Sequence, residues 1–220
     1  MFGNQQKRRF IVIGLGNFGM SVARTLHNDG HEVIAIDRRE ELVDRNAGEV
    51  TRAVVADGTQ KEQLAEAGAE NADCGIVSTG DDLTASILSS LALHDLGVKE
   101  IYAKVISMEH HRVMVRLGIQ ETIFPELESG RNLARRLIGK GLLNYLNIAP
   151  GSSIREMIVP PKWQGQSLKE LRLSRTHGLV VIGVHDQLRD KMNIPPDPDR
   201  KLLVSDTLLV AGHDAAFLKL

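Results

Sequence analysis

The run from Phe10 to Gly19 constrains this chain more than any other stretch. Phe10-Ile11-Val12-Ile13 leads directly into Gly14-Leu15-Gly16-Asn17-Phe18-Gly19. An apolar run, a Gly-x-Gly-x-x-Gly and then an amphipathic segment describe a buried strand, a tight turn and a helix. Gly14 permits the turn, Gly16 lets the backbone approach a pyrophosphate with no Cβ in the way, and Gly19 lets the helix pack closely on the strand. Phosphates would then meet free amides at the positive end of a helix dipole. A second strand, His31 to Asp37, ends in a carboxylate 18 residues beyond Gly19. There it can accept both hydrogen bonds of a ribose diol. The complete unit predicts a bound nucleotide; the plain alternative is a Gly-rich strand-to-helix turn.

Strand and helix alternate onward from this unit. Ala53–Ala56, Cys74–Ser78, Ile101–Val105 and Thr122–Phe124 read as strands, with helices over Glu40–Ala47, Gln60–Ala67, Leu83–Leu96 and Glu109–Leu117 between them. This pattern predicts an α/β fold, a Rossmann-like doubly wound parallel sheet of about six strands, with a ligand crevice at the carboxyl edge. Polar segments follow the strands at that edge: Asp57-Gly58 after the third, Thr79-Gly80-Asp81-Asp82 after the fourth, Lys104 near the end of the fifth and Glu126 after the sixth. Asp57 and Asp82 also suit helix caps or turns. From Glu126 a long amphipathic crossover helix is expected, with Leu133, Leu137, Ile138 and Leu142 on one stripe and Arg131, Arg135, Arg136 and Lys140 opposite. Ala149-Pro150-Gly151 breaks it. The expected domains are 1–148, including that helix, and 149–220, a small α+β module. Its elements are strands at Ile154–Val159, Gly178–Val184 and Thr207–Ala211, a capping box at Ser167-x-x-Glu170 and a terminal helix from about Asp214.

Composition narrows the function classes. Lys and Arg number 27 against 28 Asp and Glu, for a formal charge of -1. That removes the broad field of a nucleic-acid-binding or polybasic membrane protein. The single cysteine, Cys74, suits a reducing compartment and a core position. The apolar run after the basic start is too short for a signal peptide, and no apolar segment reaches membrane-spanning length. A cytoplasmic protein without direct membrane insertion is therefore expected. Catalytic candidates are thin. Neighbouring His110 and His111 point in different directions on a short helix and read as surface or interface residues. An NAD(P)-dependent oxidoreductase is the alternative function, and a redox-sensing repressor lacks a recognisable helix-turn-helix.

Ile11 to Gly19, Gly30 to Asp37, Ile123-Phe-Pro-Glu126, Leu143-Asn144-Tyr145 and Leu208 to His213, in this order, are the residues of a family resemblance. The chain resembles the soluble regulatory subunits of bacterial Ktr- and Trk-type potassium uptake systems, the family of domains that regulate potassium conductance. The resemblance implies a non-enzymatic gating-ring subunit that binds ATP or ADP, or NAD(H) in Trk-like relatives. It further implies dimers assembled into a ring of eight, docked on the cytoplasmic face of an integral membrane potassium-transporting subunit. By position, Asp37 would hold the ribose, Asp57 and Gly58 border the adenine, and Thr79, Gly80 and Asp81 line the ribose and phosphate side. Lys104 would face the phosphates, and Glu126 would join a site for Mg2+ or another cation. Many Ktr-like members carry arginine where this chain has Asn17, which donates a hydrogen bond but no charge. Arg38 could stack on adenine or meet a 2′-phosphate. Some relatives bind cyclic di-AMP in the small module; here Ser174 aligns with the arginine expected for it.

Overall fold

The structure is a computed structural model that describes residues 6–79, 81–138 and 141–220. Gly80, Lys140 and the side chain of Arg135, all named above, lie outside the described set. The chain divides into two compact units, 1–126 and 127–220.

In the first unit, β1 (Arg9–Ile13) leads to α1 (Asn17–Asn28), β2 (Glu32–Asp37), α2 (Glu40–Asn46), β3 (Arg52–Val55) and α3 (Lys61–Glu66). There follow β4 (Cys74–Val77), α4 (Leu83–Asp95), β5 (Glu100–Lys104), α5 (Met108–Arg116) and β6 (Glu121–Ile123). The sheet is parallel, ordered β3-β2-β1-β4-β5-β6, with Val12 of β1 paired to Ala35 on one side and Ile76 on the other. The winding reverses between β1 and β4, and the crevice opens there at the carboxyl edge.

Side chains alternate across a strand, so one short apolar run feeds two cores. Ile11, Ile13, Ile34 and Ile36 pack with Leu64, Leu93 and Met114 from α3, α4 and α5. Phe10, Val12, Val33 and Ala35 pack with Met20 and Ala23 of α1 and Val43 of α2. Fully burying one such aliphatic side chain contributes about 1.5–3 kcal/mol. Cys74 is buried in the second of these cores. His110 is only 1% exposed, a correction to the surface reading. It sits one turn from buried Met114, on the inward stripe of α5. His111 is half-buried and hydrogen-bonds Thr122 Oγ1 of β6 at 2.6 Å.

Helix α6 covers Pro125–Ile138. The expected continuation to residue 148 is corrected: Leu142–Ala149 forms strand β7, paired antiparallel with β8 (Ser152–Ile158). Gly141, at φ +75, adopts a left-handed conformation that no right-handed helix contains. The eight residues after it gain a partner strand instead, including an Asn144 to Glu156 side-chain hydrogen bond at 2.5 Å.

The second unit continues with α7 (Leu168–Leu171), α8 (Leu173–Thr176), β9 (Leu179–Asp186), β10 (Lys191–Asn193), β11 (Asp206–His213) and α9 (Asp214–Phe217). Its sheet is antiparallel in the order β10-β9-β11-β8-β7. Ser167 and Glu170 form the reciprocal capping box. Met157, Trp163, Leu179, Leu208, Val210 and Phe217 belong to its core. No helix among the described residues is long and apolar enough to cross a membrane.

Candidate functional site

At the β1–α1 turn, Gly14 holds φ +94 and donates to the Ile36 carbonyl at 2.8 Å. A Cβ there would lie 2.9 Å from the Ser78 carbonyl group. A Cβ on Gly19 would collide with the Gly14 carbonyl oxygen, which is why α1 can start so close to the strand. Gly16, the N-cap of α1, is different: a Cβ on it would meet no atom within 4 Å. That open space lies over the first-turn amides, which have no partner inside the helix. The loop is built to hold its own backbone tightly and to leave room outside it, as a pyrophosphate requires.

Asp37 closes β2 and is 6% exposed. Its Oδ2 accepts from the Leu15 amide at 2.8 Å, and Oδ1 accepts from the Arg39 amide at 2.9 Å and Arg39 Nε at 3.2 Å. Burial alone would push its pKa up. The Arg39 side chain and the amides of Leu15 and Arg39 outweigh it and hold the carboxyl below its ordinary value. Asp37 is thus a charged anchor between the glycine loop and the β2 end. Arg39, which sequence reading missed, supplies its exposed partner.

A crevice of about 580 Å3 opens beside this anchor. It brings together Gly14, Gly16, Asp37, Arg38, Asp57, Gly58, Thr79 and Asp81 of the sequence-derived set. Asp57 accepts from the Thr59 amide at 2.9 Å and the Thr59 hydroxyl at 2.8 Å, which lower its pKa. Gly58 is buried, and a Cβ on it would collide with Ile13 Cγ2. Asp82 is the N-cap of α4, accepting from the Ala85 amide at 2.9 Å. Ala85, Leu88 and Ser89 of α4 also line the crevice. No motif marked them, since that wall is set by the phase of a helix rather than by a loop. The crevice fits a nucleotide: it has an anionic anchor, a cradle at Gly16 and two buried hydroxyls, Thr79 Oγ1 and Ser89 Oγ, without partners among the described residues.

The remaining sequence-derived residues stand apart from that lining. Asn17 lines a separate hollow with Met20, Ser21 and Arg24. Phe18 is half-buried in the first turn of α1, and Gly19 serves packing. Lys104, at the end of β5, pairs with Glu126, the second residue of α6, at 2.7 Å. That hydrogen bond is the main reason the Glu126 carboxyl titrates below its ordinary value. Among the described residues no group of three or more His, Cys, Asp or Glu converges as a metal site would. A cation at Glu126 would need oxygens from a ligand.

A parallel sheet wound in two directions, with a glycine loop at β1 and an acid closing β2, defines a Rossmann-type nucleotide-binding module joined to a small antiparallel module. The TrkA-N domain model matches residues 10–125 and the TrkA-C domain model residues 154–220. The chain is 32% identical to Ktr system potassium uptake protein A of Bacillus subtilis over 96% of its length and 94% of the relative's. It is also 32% identical to the protein of that name from Vibrio alginolyticus, over 93% of this chain and 92% of that one. The chain belongs to the Ktr/Trk family of potassium-uptake proteins. In fold it is similar to a solved structure of the GsuK channel, with TM-score 0.70 and 20% identity, covering 99% of this chain and 39% of that one.

Proposed function

We propose that this chain is the nucleotide-sensing regulatory subunit of a bacterial potassium uptake system, responding to ATP and ADP. The observation that carries the reading is the Asp37 anchor beside the open face of Gly16, in a chain with full-length likeness to the Ktr proteins. The α1 amides would receive phosphates, and Asp37 would take the ribose diol once Arg39 moves off its outer oxygen. Lys104 would trade Glu126 for a terminal phosphate, leaving Glu126 free to share Mg2+ or another cation with the ligand. The subunit performs no turnover. It acts by differential binding: the nucleotide that fits one state better shifts the population toward it. In this reading the dimer and the ring of eight carry that shift to a membrane potassium transporter, with the chain on its cytoplasmic side.

Asn17 favours a second reading, NAD(H) as in the Trk-like branch, because a neutral side chain brings no positive charge to the terminal phosphate of a triphosphate. Titration calorimetry of nucleotide-stripped protein with ATP, ADP, NADH and NADPH, each with and without magnesium, separates the two. A flux assay with the transporter reconstituted in vesicles tests the regulatory role. ATP and ADP are expected to bind preferentially and to give different fluxes. Equal fluxes with either nucleotide overturn the proposal, and turnover of any substrate with absorbance change at 340 nm replaces it with an oxidoreductase.

A further inference from the structure

We propose that Ser89 reads the base, its hydroxyl hydrogen-bonding the polar edge of the six-membered ring of adenine at the floor of the crevice. The inference rests on the nucleotide reading above and adds to it a residue that sets base preference. Ser89 is 1% exposed, and its Oγ has no hydrogen-bond partner among the described residues. The adjacent Ser90 is as deeply buried and satisfies its hydroxyl in the usual helical way, donating to the Ser86 carbonyl at 2.8 Å. The Ser89 hydroxyl makes no such bond. Its oxygen lies 3.2 Å from where a Cβ on Gly58 would sit, so it lies close against this glycine, which itself lines the crevice. An unpartnered buried hydroxyl is unfavourable, and alanine is the better helix former. Ser86 Oγ is equally unpartnered but does not line the crevice. Position, and not lack of a partner alone, distinguishes Ser89.

The direction of the ligand places the base here. Phosphates over Gly14 and Gly16 and a ribose at Asp37 set a course from the end of β1 to the end of β2. The next strand outward is β3, and the base must continue toward the Asp57-Gly58 turn that follows it. There Ile13, Ala56, Ala85 and Leu88 supply apolar contact for a flat ring, and Ser89 supplies a hydroxyl that can accept from an exocyclic amino group or donate to a ring nitrogen.

The test is a double-mutant cycle on the full chain. Wild type, Ser89→Ala and Ser89→Thr are titrated with ATP, purine riboside triphosphate, which lacks the exocyclic amino group, and 1-deaza-ATP, which lacks the ring nitrogen beside it. At least one analogue should bind wild type about five- to tenfold more weakly than ATP, the loss expected for one hydrogen bond. Ser89→Ala should weaken ATP by a similar factor and leave that analogue unchanged, while Ser89→Thr keeps the ATP preference. Nucleotide-free Ser89→Ala should melt no lower than wild type, because an unpartnered hydroxyl has been removed. Unchanged ATP affinity in Ser89→Ala, or equal losses for ATP and both analogues, overturns the inference. An Asp37→Ala control separates the levels. Binding lost in Asp37→Ala but intact in Ser89→Ala refutes the role of Ser89 alone, whereas a wild type that binds none of the three refutes the nucleotide reading and this inference together.

Discussion

Replacing Asp37 with asparagine should destabilise the first unit before any ligand is present. The carboxylate accepts the buried Leu15 amide on one oxygen and the Arg39 amide on the other. Asparagine keeps one acceptor and turns an NH2 toward whichever amide it does not serve. A hydrogen bond to a charged group contributes about 1.5–3 kcal/mol, and the orphaned amide adds a desolvation cost. The Arg39 guanidinium, 63% exposed on its side chain, adds about 1 kcal/mol at most. The sum is about 2–4 kcal/mol at neutral pH, or roughly 1–2 M in urea midpoint at ordinary m-values. The only tryptophan, Trp163, lies in the second unit and reports on the wrong core. Hydrogen exchange of β1 and β2 peptides in urea is the assay, with β8 and β11 as internal controls. The sign with pH is fixed. The folded pKa lies below the ordinary 3.8, so this stabilisation is present above that value and is lost as pH falls through the lower folded one. The gap between wild type and Asp37→Asn should therefore hold from pH 8 to pH 5 and narrow below about 3.8. Equal exchange in the two proteins at pH 7, or a gap that widens in acid, would refute the anchor role.

Three other perturbations have definite expected outcomes. Arg200→Met should cost the second unit about 3–5 kcal/mol, because Arg200 donates to the fully buried Asp206 carboxylate at 2.7 and 2.9 Å; a loss below 1 kcal/mol in urea denaturation followed by Trp163 fluorescence would contradict this. Gly14→Ala should lower both stability and nucleotide affinity, since φ +94 and the 2.9 Å approach to Ser78 leave no place for a methyl group; calorimetry and thermal melting check it together. The Cys74 thiol, pushed up to about 12 by burial, should resist iodoacetamide at pH 8 in the folded protein and react in denaturant; rapid native labelling would show that the β4 core opens.

Much of the first unit was legible because its signals are local. The apolar run into three glycines, the acid closing β2 and the turn at Asp57-Gly58 each depend on a few adjacent residues, and all border the crevice at the carboxyl edge. Features set by a partner strand or by helix phase were hidden. Leu133, Leu137, Ile138 and Leu142 keep helical spacing, yet Leu142 belongs to β7, because a left-handed Gly141 intervenes and β8 offers a ladder that no window around residue 142 contains. The three residues of β10 exist only through pairing with β9. His110 and His111 are neighbours in sequence, but only the turn relation of His110 to Met114 tells which is inside. Ser86, Ser89 and Ser90 read alike in sequence, and the phase of α4 alone puts one of them on the crevice.

In the proposed nucleotide reading the two charged groups best suited to the ligand, Asp37 and Lys104, are already engaged, and this would give the site a way to discriminate. Asp37 holds Arg39, whose guanidinium is largely solvent-exposed and so inexpensive to displace; ribose can replace it at little cost. Lys104 is different. Its side chain is only 12% exposed and faces Glu126 at 2.7 Å, so a phosphate that takes the lysine must leave a carboxylate beside it. Two anions then share one cation, a repulsion that a bound metal ion relieves. The ribose step is common to every adenosine nucleotide, whereas the lysine exchange depends on how far the phosphate chain reaches. Discrimination between ATP and ADP should therefore reside at Lys104 and Glu126. Glu126→Gln should shift the ratio of affinities toward ATP in the absence of magnesium, while Arg39→Ala should shift both by the same factor. If Arg39→Ala changes the ATP to ADP ratio and Glu126→Gln does not, the division of labour between the two ends of the site is the reverse of the one argued from these exposures.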